Sequence, residues 1–143
     1  MLAQNTSNAL LNAFFAREMN GDITTSRTCW LGFSTTEPTV GDTITGFTEP
    51  DESTGYERCL LGNYQQADTQ LMDAASSGTI KNGQKKIYAF VAKAPIGPFK
   101  YMGIFPSKVG GTPIMAGALT REVSVPVDSV MLFDLNGLQV SMA

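Results

Sequence analysis

Residues 30–38 read WLGFSTTEP, and their pattern is that of a strand running into a turn. Successive side chains of a strand point to opposite faces. Extended back to Thr28, the segment Thr28–Ser34 places Cys29, Leu31 and Phe33 on one face and Trp30, Gly32 and Ser34 on the other. Pro38 brings no N–H for a ladder and ends the run. Comparable short runs follow at Tyr56–Gly62, Thr79–Lys81, Lys85–Lys93, Phe99–Phe105, Pro113–Leu119, Glu122–Val125, Val130–Asp134 and Leu138–Met142. Asn82-Gly83 and Asn136-Gly137 are dipeptides suited to tight hairpin turns. In Lys85–Lys93, Ile87, Ala89 and Val91 oppose Tyr88, Phe90 and Ala92, so both faces are apolar, as in a central strand. Strands at this spacing predict a mainly β chain, an antiparallel β-sandwich or jelly-roll-like barrel.

Upstream, the period changes. Ser7 is a fitting N-cap, Leu10, Leu11, Phe14 and Phe15 fall on one helical face, and Gly21 follows as a stop signal. One N-terminal amphipathic helix is expected within residues 1–22. Its stripe can cover the domain's own sheet or dock on a neighbour. At 143 residues and 43% apolar, the chain has the length of one domain, 1–143, with a β-rich core over residues 56–143. Residues 35–55 form a long loop holding Glu37, Asp42, Glu49, Asp51 and Glu52 without a base. Five acids suggest calcium or a glycan-cleaving carboxylate pair, but the twelve-residue calcium-loop pattern is missing. Solvated carboxylates are the plainer reading, and no metal or cofactor is expected.

The chain has no histidine, which removes Ser-His-Asp and Cys-His nucleophilic mechanisms. Neither Gly-rich phosphate-binding pattern occurs. Cys29 and Cys59 sit in strand-like runs with no histidine nearby, and are expected as reduced, packed thiols. No apolar run approaches the roughly 20 residues of a membrane span, and no basic leader precedes the first apolar residues. These observations lead to an expectation of cytoplasmic assembly, without membrane or nucleic acid as partner.

Charge is segregated along the chain. Residues 1–73 carry ten acids and three bases, residues 74–121 seven bases and no acid, and residues 122–143 three acids and no base. Opposite fields on two surfaces steer association and fix register, so a homo-oligomer is expected, a trimer first among the options. Solvated faces are the alternative. Two glycines inside strand patterns, Gly32 and Gly103, signal close backbone approach or bulges. Arg58, on one strand face with Tyr56 and Leu60, is placed either to hold a loop carboxylate such as Glu49 as a bidentate pair or to face solvent.

The motifs together resemble a family of small double-stranded DNA phage virion proteins often labelled tail-fibre proteins. The resemblance rests on Trp30, Gly32, Ser34, Thr35 and Pro38; on Thr48, Glu49 and Pro50; and on Gly55, Tyr56 and Arg58. It continues through Gly103, Ile104 and Phe105, the Gly110-Gly111 turn, and Gly117, Leu119 and Thr120. Where the family pattern has a Gly-Asp turn, this chain has Val127-Asp128. The resemblance implies a virion structural protein rather than an enzyme, built in the host bacterial cytoplasm, with other virion proteins as partners. Trp30, Gly32, Glu49, Tyr56, Arg58, Gly103, Phe105, Gly117 and Leu119 are its candidate structural and interaction residues, and none is read as catalytic. Without a coiled-coil shaft or repeat, a capsid decoration (cement) role on the particle surface comes first. A tail, baseplate or neck appendage touching host glycans is the alternative.

Overall fold

The computed structural model describes residues 8, 10–12, 15, 28–63 and 69–141. They are mainly β, in antiparallel pairings, with a short piece of N-terminal helix. The strands are β1 (Thr28–Ser34), β2 (Thr39–Val40), β3 (Ile44–Thr45), β4 (Cys59–Asn63), β5 (Thr79–Lys81), β6 (Ile87–Val91), β7 (Ile96–Phe105), β8 (Met115–Val125), β9 (Val130–Phe133) and β10 (Gln139–Ser141). Contacts gather them into two compact units. The first comprises residues 1–29, 60–87 and 133–143, and the second residues 30–59 and 88–132.

In the first unit β5 pairs with β10, Ile80 opposite Val140. Asn8, Leu10, Leu11 and Asn12 are helical, and Leu11 accepts from the Phe15 amide at 3.0 Å. Leu11 and Phe15 are fully buried, so this part of the helical stripe is covered by the chain itself. The polar side of the helix is tied down as well: the Asn12 and Asn8 side-chain oxygens accept from the amides of Ala75 and Gly78. Phe14, Gly21 and the rest of the expected helix lie outside the described residues.

Asn82-Gly83 does not close a β5–β6 hairpin, because β6 pairs with β9 instead. Asn82 is fully buried and stands in for a neighbouring strand. Its Nδ2 donates to the carbonyls of Lys85 and Asp134, at 2.8 and 2.9 Å, and its Oδ1 accepts from the Leu138 amide at 2.9 Å. Asn136-Gly137 does make the expected tight turn. Asn136 has φ +60°, and the Gly137 amide donates to Asp134 O.

In the second unit β7 lies between β1 and β8, and β6 forms a ribbon with β9. Phe33 on β1 and Phe99 on β7 meet Phe90 on β6, with ring centroids 5.2–6.4 Å apart and Tyr56 alongside. This aromatic layer between β1–β7 and β6 is a sandwich-like core, and edge-to-face rings add to its area burial. β6 is not a central strand, and its Tyr88 and Val91 are exposed. On its other side the Lys93 amide bonds to Thr54 O, and Gly55, at φ +89°, sits where a Cβ would meet the Val91 carbonyl. Beyond β6 the Val127-Asp128 turn is made with Asp128 at φ +64°, the Ser129 amide donating to Pro126 O. Aspartate is among the few side chains that tolerate this left-handed backbone.

The stretches Pro113–Leu119 and Glu122–Val125 join as one strand, β8. Between the pairs Tyr101–Ala118 and Phe99–Val123, β8 advances five positions while β7 advances two, so β8 accommodates three extra residues as a bulge between Ala118 and Val123. The expected 35–55 loop is also structured. It contains the β2–β3 hairpin and a 3-10 turn at Glu52–Thr54, capped by the Asp51 carboxylate and Gly55.

Replacing Asn82 tests how the first unit closes. Asn82→Ala is expected to cost about 1–3 kcal/mol for each polar group left buried without a partner. Asn82→Asp keeps the volume but turns an acceptor toward two carbonyls, so it should be as damaging. Chemical denaturation measures both, and a wild-type midpoint for the aspartate variant would remove Asn82 from this role.

Candidate functional site

The second unit holds a cluster of polar and aromatic groups, and it begins with two glycines. Gly32 on β1 pairs directly with Gly103 on β7, so their missing side chains would share one face. A Cβ on Gly32 would lie 2.8 Å from the Phe105 ring and 3.0 Å from the Tyr56 hydroxyl. One on Gly103 would lie 2.8 Å from the Phe47 ring. The glycine pair is therefore a floor on which two rings rest, Phe47 and Phe105, edge to face with centroids 5.3 Å apart.

Arg58 lies on Phe105, its guanidinium carbon 3.4 Å from the ring centroid. A planar, weakly hydrated cation suits a ring face. Its Nη2 and Nε reach Glu49 Oε1 at 2.8 and 2.9 Å, and Nε also reaches Oε2 at 3.3 Å. Nη1 donates to the carbonyls of Ser107 and Gly110, at 2.9 and 2.8 Å. The arginine side chain is 7% exposed and the glutamate 22%. One side chain thereby ties the segment at Glu49 and the 107–110 loop to the sheet. Tyr56 completes the cluster: its hydroxyl accepts from the Phe33 amide at 2.9 Å and is hydrogen-bonded to Glu49. Burial, with Glu49 as a lesser cause, pushes this phenol far above its usual range, so it stays neutral.

A second hub sits at the end of β1. Ser34 Oγ donates to Thr36 O and accepts from the amides of Thr36 and Thr48. Thr36 Oγ1 bonds to Gly46 O and Thr48 Oγ1, and the Thr35 amide to Thr48 O. The two Thr-Glu-Pro segments, 36–38 and 48–50, are thus fastened together at the base of the β2–β3 hairpin.

Of the residues singled out in the sequence, Gly32, Glu49, Tyr56, Arg58, Gly103 and Phe105 come together in this cluster. Trp30, paired with Phe105 across the strands, stands beside it with Lys108 Nζ 5.9 Å from its ring centroid. Gly117 and Leu119 do not join it and lie on β8. Sequence reasoning passed over Phe47, although it directly precedes the Thr48-Glu49-Pro50 motif, and over the Ser34–Thr36–Thr48 hub. Serine and threonine hydroxyls give no periodic signal, so only the juxtaposition reveals them.

Next to the cluster is an open cleft of about 1000 Å³, lined in part by Asp51, Glu52, Glu57, Val91, Lys93 and Lys108. Its charges are mixed, and Glu57 and Lys108 approach to 3.9 Å across it. Among the described residues, no group of three or more His, Cys, Asp or Glu is placed to hold a metal ion. No described helix is long and apolar enough to cross a membrane. Both cysteines are buried thiols that form no disulfide. Burial, and secondarily Glu57, pushes the Cys59 thiol up to about 11.

Arg58→Ala would leave a largely buried carboxylate and two loop carbonyls without their donor, and is expected to cost about 3–5 kcal/mol. Arg58→Lys should recover little, since an ammonium cannot stack on Phe105 and also bridge Glu49 to two carbonyls. Thermal melts decide, and a lysine variant as stable as wild type would show the fork geometry to be unimportant. The thiol supplies a pH test. Its pKa is raised in the folded state, so its share of the stability is intact below about pH 8.5, the value of an exposed thiol. That share is lost as pH rises through about 11. Cys59→Ala should shrink the fall in melting temperature over this range, and an unchanged fall would contradict the assignment.

No match is found among curated proteins. The model of one family, described as podophage GP4 fiber I protein gp80, matches residues 2–141. With nearly its whole length matched, the chain belongs to the podophage GP4 fiber I protein gp80 family, a family of double-stranded DNA phage virion structural proteins.

Proposed function

We propose that the protein is a non-catalytic structural component of the phage's tail-side appendages, the fibre or the parts that seat it. The observation that carries this is the fibre family's match over residues 2–141. It favours the appendage reading over the capsid decoration reading that came first from chain length and the missing shaft. The geometry supports a role in holding shape. In the Arg58 cluster the guanidinium donors are spent on two loop carbonyls and on Glu49, which serves rigidity. Fixed loops above a sheet are what an attachment surface requires, because a preordered surface loses less entropy on binding. Neighbouring virion proteins are the partners this implies.

Quantitative mass spectrometry of purified particles, with gold labelling of the protein, tests the proposal. The expected result is label at the tail and a copy number at tail multiplicity. Label spread over the head, with a copy number near that of the major shell protein, would return the assignment to capsid decoration.

A further inference from the structure

β8 ends its sheet. β7 pairs along one side, and among the described residues no strand pairs along the other. An open edge presents a row of N–H and C=O groups that will accept another strand unless something blocks it. The second half of β8 is blocked by the irregular stretch between Ala118 and Val123, which carries the exposed charges of Arg121 and Glu122. The first half is not. Met115–Ala118 runs in unbroken register against Ile104–Tyr101 and contains no charge, proline or bulge.

The five residues Met115-Ala116-Gly117-Ala118-Leu119 read alike in both directions about Gly117: large apolar, small, glycine, small, large apolar. By strand alternation Met115 and Gly117 share one face and the two alanines the other, and Leu119 is the first residue beyond the regularly paired segment. A Cβ at Gly117 would meet nothing within 4 Å, so the space between Met115 and Leu119 is open. A symmetric pattern on an open edge is what self-pairing requires, since a two-fold contact sets each position against its mirror position. An unrelated strand would impose no such symmetry.

We propose that two copies of the chain pair antiparallel through this edge, with the two-fold axis at Gly117. Each Gly117 then faces its counterpart, Ala116 faces the second copy's Ala118, and Met115 faces the second copy's Leu119. The two Met–Leu pairs close over the open space at the glycines. The bulge limits the match to this short segment and keeps the sheet from growing further. The contact belongs to the chain in solution and stands or falls independently of the protein's place on the particle.

The experiment uses the purified full-length protein. Sedimentation across the accessible concentration range is expected to show a dimer. Gly117→Cys should form a disulfide-linked dimer on mild oxidation, because directly opposed residues of antiparallel strands lie within disulfide reach. Val109→Cys, at an exposed loop tip, controls for random collision and should crosslink far less. Gly117→Lys places two ammonium groups face to face and should give a monomer with an unchanged monomer melting transition, since the position has room for a side chain. A wild-type monomer at every concentration overturns the proposal. So does a dimer or trimer in which the Gly117→Cys variant crosslinks no faster than the Val109→Cys variant, or one that survives Gly117→Lys.

Discussion

The second unit depends on the absence of two side chains. Gly32 and Gly103 face each other across β1 and β7, and only because both lack a Cβ can Phe105 and Phe47 lie against the sheet. Phe105 gives Arg58 a surface, and Arg58 in turn gathers Glu49, Ser107 and Gly110. The order of dependence runs from backbone to ring to cation to loop. A buried ion pair is weak support for stability by itself, because desolvation offsets its attraction. Here the guanidinium also meets two carbonyls and a ring face, so little of its hydrogen-bonding capacity is left unmet by the protein.

Much of this could be read from residue order. Strands β1 and β5 have the bounds that alternation gave, and Gly32 and Gly103 lie where close approach was expected. Arg58 pairs with Glu49, one of the two placements that the sequence leaves open for it. What stayed hidden has identifiable causes. Lys85–Lys93 is apolar on both faces, which suggested a central strand, but the exposure of Tyr88 and Val91 is set by which strands neighbour β6, and periodicity carries no such information. Asn82-Gly83 has the composition of a hairpin turn, yet the asparagine amide is recruited by a carbonyl distant in sequence, that of Asp134. Long-range partners of this kind overrule a local turn preference whenever burial leaves no water to satisfy them.

The acidic 35–55 stretch was legible only as a loop. Its order comes from Ser34, Thr36 and Thr48, hydroxyl groups that bind backbone at distances fixed by the fold. The two Thr-Glu-Pro segments then take different fates: Glu49 is drawn under Arg58, while Glu37 remains in solvent. Equal local sequence thus gives unequal roles, decided by which copy lies within reach of the arginine.

That fastening at the hairpin base also separates two kinds of position. Below the Ser34–Thr36–Thr48 hub each residue answers to several others. Above it, Gly41, Asp42 and Thr43 form an exposed tip in which the Gly41 amide donates to Thr43 O, just beyond the last ladder pair, Val40 with Ile44. The tip is therefore a place where the chain can be lengthened without asking the sheet to adjust. A peptide label or fluorophore inserted between Gly41 and Asp42 would ride on a rigid stem, and its position would report the orientation of the second unit in an assembled particle.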